Sequence, residues 1–247
     1  MAEVPEHNDF WLFGYGSLIY KPPPHFDRRI PGWVTGYVRR FWQASEDHRG
    51  TPEAPGRVVT LIERAHWASL ADGHDAAPDQ VWGVAYRIRP ERVAEVRASL
   101  DLRESNGYTI DHTLFHAAAA AAASAPRRRP LRALVYIGTP DNRQFVGPQE
   151  PQALAEHIFR SAGPSGPNRD YLWALERALD QLGPDSRDAH VSDLAQRVRA
   201  LAAREAAETG LSRAPPPLES LGPDGRGQAL QTGDEREETQ QRRVTHG

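Results

Sequence analysis

The stretch Phe13-Gly14-Tyr15-Gly16-Ser17-Leu18-Ile19 carries residue types suited to holding a charged small molecule. It follows a short apolar run, Phe10 to Phe13, that reads as a strand. Gly14 and Gly16 permit positive φ and close approach of a ligand to the backbone. Successive N–H groups in such a turn can form a nest for an anion, either a carboxylate or a phosphate. The phosphate motifs fit badly. A GxGxxG pattern needs glycine where Ile19 stands, and a P-loop needs a closing Gly-Lys-Ser/Thr. A nucleophile elbow centred on Ser17 fails at the same Ile19. On these residues alone, a plain strand-ending turn explains the stretch equally well.

A second group able to do chemistry is Glu104. It follows a helical stripe and precedes the turn Asn106-Gly107, so a carboxylate stands at the end of an element. Taken alone, a surface ion pair with Arg103 is the simpler explanation. Glu95 also lies on that stripe, and a solvated helical carboxylate is its simpler reading too. His48 has no second histidine at metal-ligand spacing, so no metal is expected. The chain has no cysteine, which excludes thiolate catalysis, disulfides and thiolate-held metal.

These residues need a frame. Strand-like composition marks Trp33 to Trp42 around Gly36, Arg57 to Ile62, Val81 to Arg87, Tyr108 to Phe115 and Leu131 to Ile137. The polar stretch between Ile62 and Val81 reads as a loop. Helical stripes follow. Val93, Val96 and Leu100 share a face behind Pro90, and Leu154, Ala155, Ile158 and Phe159 share another. Asn168 reads as the N-cap of a helix bearing Tyr171, Leu172, Leu175 and Leu179. Val191, Leu194, Val198 and Leu201 stripe a last helix. Strands first and helices later argue for an α+β fold rather than a doubly wound sheet. Trp33, Trp42 and Trp82 are most simply core.

Composition bounds the remaining readings. Lysine and arginine number 30 against 33 acidic residues, too balanced for a dedicated nucleic-acid binder. No apolar stretch approaches the ~20 residues of a membrane span. The first residues lack the pattern of a signal peptide, and the expected compartment is cytoplasmic. Residues 1–9 read as a flexible N-terminus, 10–204 as one domain, and 205–247 as a disordered tail rich in Gly, Pro, Gln and charge. Ala117 to Pro130, alanine-rich and closed by three arginines, reads as an insert.

Gly14-Tyr15-Gly16-Ser17-Leu18 resembles the signature of the γ-glutamylcyclotransferase-like superfamily. Arg39 to Gly50 (RRFWQASEDHRG), Pro55 to Ile62, Val81 to Arg87, Leu100 to Tyr108 and Ala162 to Leu172 resemble blocks of its ChaC branch, in the same order. The resemblance spans 10 to 201. It implies a small mixed sheet, partly closed like a barrel, with helices around it. It implies cleavage of glutathione to 5-oxoproline and cysteinylglycine, without metal or cofactor.

By the same resemblance, Glu104 matches the family's catalytic glutamate. Tyr15, Gly16, Ser17 and Leu18 match its γ-glutamyl-binding loop, and Tyr108 and Tyr171 match tyrosines near the pocket. For both tyrosines, core packing is an equal reading. Ser105-Asn106-Gly107 departs from an expected glycine pair, which Asn tolerates because it also visits the left-handed region. Arg39, Arg40 or Arg57 could meet the glycine carboxylate of glutathione, or form structural ion pairs. Rival readings are a cyclotransferase for γ-glutamyl amino acids or γ-glutamylamines, a non-catalytic γ-glutamyl-binding module, and a regulator of membrane cation transport. Nothing in the sequence resembles the basic amphipathic helix that the last would use.

Overall fold

Four consecutive buried residues, Trp11–Gly14, form strand β1. So short a strand cannot stand alone, and it is held on both sides. Its antiparallel partner is β5 (Gln80–Ile88), with Trp11 opposite Arg87 and Gly14 opposite Val84. Its parallel partner is β7 (Leu131–Ile137), at Leu12 and Leu134. The circuit continues through β2 (Phe26–Thr35) and β6 (Thr109–Ala117) to give a closed barrel in the order β1-β5-β2-β6-β7. All pairings but β1–β7 are antiparallel. Closure removes the free edges that an open sheet would expose. The computed structural model describes residues 9–74, 77–103, 109–118 and 130–209.

The apolar run Trp33 to Trp42 is not one strand. Gly36 sits at φ +86°, a left-handed corner that glycine adopts without strain, and the chain leaves the barrel there. Strand β3 (Tyr37–Ser45) then pairs with β4 (Gly56–Glu63) as a separate two-stranded arm. Every residue of β3 is buried, including Arg39, Arg40 and Gln43.

The polar stretch after Ile62 contains one helical turn, α1 (Arg64–Trp67), and is pinned rather than loose. Arg40 Nε and Trp67 Nε1 both donate to Asp72 Oδ2, at 2.6 and 2.7 Å. Further on, a chain of imidazoles crosses to the last helix. Phe41 N donates to His190 Nε2 at 3.0 Å, which leaves the proton of a neutral His190 on Nδ1. That nitrogen faces His74 Nδ1 at 3.1 Å, and His74 Nε2 meets Asp193 Oδ2 at 2.7 Å.

The helices follow. A 3-10 turn, Pro90–Arg92, leads into α2 (Val93–Arg103), which buries Val96 and Leu100. Helix α3 (Pro151–Arg160) is capped by Glu150, whose carboxylate accepts from Gln152 N and Ala153 N at 2.8 and 2.7 Å. Two-residue strands β8 (Ala162–Gly163) and β9 (Gly166–Pro167) make a tight hairpin. Helix α4 (Asn168–Asp180) begins at once, and α5 (Ala189–Thr209) runs past the Arg204 boundary read from composition.

Asn168 does not cap α4. Its side chain is fully buried and turned sideways onto β4. Oδ1 accepts from Arg57 N at 2.7 Å, and Nδ2 donates to Arg57 O at 2.8 Å. The amide thus completes one peptide's worth of a ladder that the sheet does not supply. The architecture is α+β, as expected, with a barrel that closes fully.

Two outcomes test these contacts. Asn168→Ala strands the Arg57 N–H and C=O together, so urea denaturation should show a loss of about 2–3 kcal/mol. A loss below about 0.5 kcal/mol would show that solvent replaces the amide. The second outcome concerns acid. Burial, reinforced by the charges of Arg40, His74 and Arg39, holds the His190 pKa well below the usual 6.5. The unfolded chain therefore binds a proton that the fold excludes. Stability is whole above about pH 6.5 and falls as pH drops below it, by up to about 1.4 kcal/mol per unit. His190→Gln should flatten this slope between about pH 6.5 and 5, with His157, also lowered by burial, supplying the remainder. An unchanged slope would assign the titration to another group.

Candidate functional site

The loop read from sequence as an anion cradle lies where β1 leaves the barrel. Gly14 ends the strand and Ser17–Ile19 form one turn of 3-10 helix. Ile19 N bonds back to Gly16 O at 3.0 Å, and Tyr20 N and Lys21 N both reach Ser17 O, at 3.1 and 2.8 Å. The N–H groups of Gly16 and Leu18 have no such partner among the described residues. Tyr86, fully buried in β5, donates from Oη to Leu18 O at 2.7 Å and fixes the far side of the loop.

Tyr15 and Tyr171 flank the loop from opposite directions. Tyr15 Oη donates to Tyr136 O, near the end of β7, at 2.8 Å. Tyr171, on α4, packs under Gly16. A methyl group on Gly16 would stand 3.0 Å from Val59 Cγ2 and 3.1 Å from Tyr171 Oη. That is tight, and glycine here keeps the backbone against the phenol. Tyr171 Oη accepts from Val59 N at 3.4 Å. Desolvation raises its pKa far above the ordinary phenol value, so it is a neutral hydrogen-bonding group. The Tyr171 ring packs edge-on against Phe41, and its hydroxyl faces Val59 N.

Arg39 lies near both tyrosines. It is buried, donates to Trp82 O, and faces Asp188 at 3.5 Å. Burial lowers its pKa, an effect opposed by Asp188. Arg40 is committed to Asp72. Arg57 is held by Gln149 Oε1 at 2.9 Å and by the carbonyls of Pro55 and Gly56. The structural reading of Arg39 and Arg40 prevails, because each already has a carboxylate in reach. Glu95 is solvent-facing and paired with Arg92 at 2.7 Å and His25 at 3.2 Å. His48 meets Ser165 Oγ at 3.1 Å. Trp42 and Trp82 are core, and Trp33 stacks on His116.

Glu104 and Tyr108 lie outside the described residues. Their described neighbours bound where the chain enters and leaves. Arg103 ends α2, and Thr109 opens β6 opposite Ile137, the residue after Tyr136. The strand that follows Tyr108 is thus paired beside the carbonyl that anchors Tyr15.

One residue was missed from sequence. Arg49 lies in the quoted block Arg39 to Gly50, yet its place is set by distant chain. Its Cζ stands 5.8 Å from the centroid of the Tyr171 ring, and NH1 donates to Pro167 O at 3.1 Å. Only the packing of hairpin β8–β9 on the Arg49 loop, with Ser165 N bonded to His48 O at 3.0 Å, brings these together. Among the described residues there is no group of His, Asp or Glu placed to hold a metal ion. No described helix is long and apolar enough to cross a membrane.

Comparison with known proteins agrees with this geometry. The family model described as "ChaC-like protein" matches residues 10–201. A protein of Schizosaccharomyces pombe named glutathione-specific gamma-glutamylcyclotransferase is 41% identical over 200 residues, covering 81% of this chain and 97% of the relative. Its namesake in Saccharomyces cerevisiae is 43% identical, over 72% of this chain and 88% of the relative. The crystal structure of a yeast gamma-glutamyl cyclotransferase specific to glutathione superposes with a TM-score of 0.67 at 39% identity, covering 78% of this chain and 99% of that one. With one family model matching residues 10–201, well over half of its length, the chain belongs to the ChaC-like protein family.

Proposed function

We propose that the protein is a glutathione-specific γ-glutamylcyclotransferase that yields 5-oxoproline and cysteinylglycine. The observation that carries this reading is the loop Tyr15–Leu18 pressed against Tyr171, in a chain whose full-length relatives are named for that activity.

The reaction is internal. The α-amine of the γ-glutamyl group attacks its own γ-carbonyl carbon, a new C–N bond closes a five-membered lactam, and the cysteine nitrogen departs. The nucleophile is the substrate's, so the enzyme supplies folding of the chain into attack geometry, proton transfer and charge stabilisation. The N–H groups of the Tyr15–Leu18 loop hold the α-carboxylate and support the carbonyl oxygen as negative charge grows on it. Neutral Tyr171 closes the floor under Gly16. Tyr108, by the family resemblance, is assigned a substrate hydrogen bond. Glu104 takes the proton released by the ammonium and returns it to the leaving nitrogen. It is five residues from Thr109, a reach of at most about 18 Å from a strand end tied to the loop through Ile137 and Tyr136.

No step needs a metal, a cofactor, a nucleic acid or a membrane. The cytoplasm, kept reducing by glutathione, is the compartment where the substrate is at hand. Residues 10–204 constitute the catalytic unit in this reading, with 1–9 and 205–247 outside the chemistry.

Mass spectrometry of products from reduced glutathione, with γ-glutamyl-alanine alongside, tests the assignment. 5-Oxoproline and cysteinylglycine from glutathione alone are expected. Turnover of γ-glutamyl-alanine alone would move the protein to the γ-glutamyl amino acid reading, and no product from either would leave a binding module. Glu104→Gln should keep the fold and the affinity for glutathione while kcat falls by about 100-fold or more. Turnover within a few-fold of wild type would remove Glu104 from the mechanism.

A further inference from the structure

A strand that stops early leaves peptide groups of its neighbour to be satisfied by something else. Ile88 N bonds across to Phe10 O, so alternate residues of β5, Val84 and Trp82 among them, turn their peptide groups toward β1. The register that sets Gly14 opposite Val84 would set Gly16 opposite Trp82 if β1 ran on. The strand ends at Gly14, and the guanidinium of Arg39 takes that place, with NH2 donating to Trp82 O. Arg39 thus stands where the next rung of the ladder would be, beside the turn that Tyr15 and Gly16 make. The arm agrees with this placement. Arg39 pairs with Leu61 and shares its face with Val59, the residue against Gly16. Tyr15 and Tyr171 both lie near the guanidinium.

The pairing with Asp188 removes Arg39 as a ligand for the glycine carboxylate, yet it leaves the charge incompletely neutralised. Asp188 divides its carboxylate. Oδ1 accepts from Val191 N at 3.2 Å at the start of α5, and Oδ2 stands 3.5 Å from Arg39 NH1, longer than the ~2.8 Å of a tight charged bond. Arg39 Nε is buried with no hydrogen-bond partner among the described residues. Arginine keeps its proton even where burial lowers its pKa. With the side chain only 1% exposed, solvent does not screen the charge. The Tyr15–Leu18 loop, for its part, offers an anion only the partial charges of backbone N–H groups. We infer that Arg39 is a positioning residue, whose buried charge draws the α-carboxylate of the substrate onto the Tyr15–Leu18 loop without touching it. This rests on the glutathione reading above and names the full charge that a backbone cradle lacks.

The test compares glutathione with its α-carboxamide, which keeps the α-amine, the γ-carbonyl and the cysteinylglycine but has no α-carboxylate. Wild type should prefer glutathione. Arg39→Met combined with Asp188→Asn removes both charges together and leaves Asn to cap α5, so no lone charge is buried. Its preference for glutathione should fall about 10-fold, through KM, while kcat/KM for the carboxamide stays within about 2-fold of wild type. Asp188→Asn alone removes the counter-ion and should move the other way, raising the preference by roughly 3-fold. Arg39→Lys, which keeps the charge without the fork, should retain most of the preference. Circular dichroism checks the fold, and any variant that folds decides by itself. Equal losses on both peptides in the double variant or in Arg39→Lys, or no rise in preference in Asp188→Asn, would mean that Arg39 only braces the end of β1, and would overturn the inference. So would a wild-type enzyme indifferent to the carboxamide. If wild type turns over neither peptide, the glutathione reading itself falls. Calorimetric binding of γ-glutamyl-alanine and its α-carboxamide then decides on Arg39: a preference for the acid that shrinks in the double variant upholds the inference, and any other result overturns it.

Discussion

The structure depends on β1. Four buried residues supply the strand that joins β5 to β7, and without the parallel contact at Leu12 and Leu134 the barrel would be an open sheet with two bare edges. Closure has a geometric consequence for chemistry. The chain must leave the barrel at Gly14, between two strands already paired, and the turn that follows is therefore built on rigid ground. Tyr15 reaches back to the carbonyl of Tyr136 on one closing strand, and Tyr86 reaches from the other closing strand to the carbonyl of Leu18. The loop is fastened to both sides of the seam that β1 makes.

The second layer of the site comes from outside the barrel. Gly36 turns the chain away, and the β3–β4 arm carries Val59 to one side of Gly16 while α4 carries Tyr171 below it. Asn168 joins these two contributors by clamping the start of α4 to Arg57 of β4. The position of a phenol against a glycine is thus set by an amide three residues earlier in the helix. That Asn spends its side chain on the neighbouring strand, and not on its own helix, follows from need. The Arg57 backbone faces a helix start where no strand continues the ladder, and buried peptide groups must find partners. The start of α4 does without a side-chain cap because the hairpin β8–β9 already feeds it, with Asn168 N bonded to Ser161 O.

Charge inside the fold is paired almost wherever it is buried. Arg39 faces Asp188, Arg40 faces Asp72, and His190 stays neutral between Phe41 N and His74. These contacts tie β3 to α5 and to the polar connection after β4. They stiffen the frame that carries the Tyr15–Leu18 loop.

Much of this was legible in the residues. The Gly-Tyr-Gly-Ser-Leu turn, the apolar strands, the helical stripes of Leu154 to Phe159 and Tyr171 to Leu179, and the order of the family blocks are local patterns, and local patterns are what one chain displays. The α+β class followed from their order. What the sequence left undecided depended on partners far along the chain. It could not say that Gly36 splits the run Trp33 to Trp42 between a barrel and an arm, because either half is a good strand. It favoured the capping role of Asn168, since a helix start is the local context and Arg57 is not. It weighed Arg39 and Arg40 as ligands for a carboxylate because Asp188 and Asp72 become their neighbours only after folding. For the same reason it passed over Arg49, which looks like any charged residue in a polar turn until hairpin β8–β9 and α4 bring Pro167 and Tyr171 to it. Local spacing fixed which residues could bind an anion; tertiary packing decided which cations already had one.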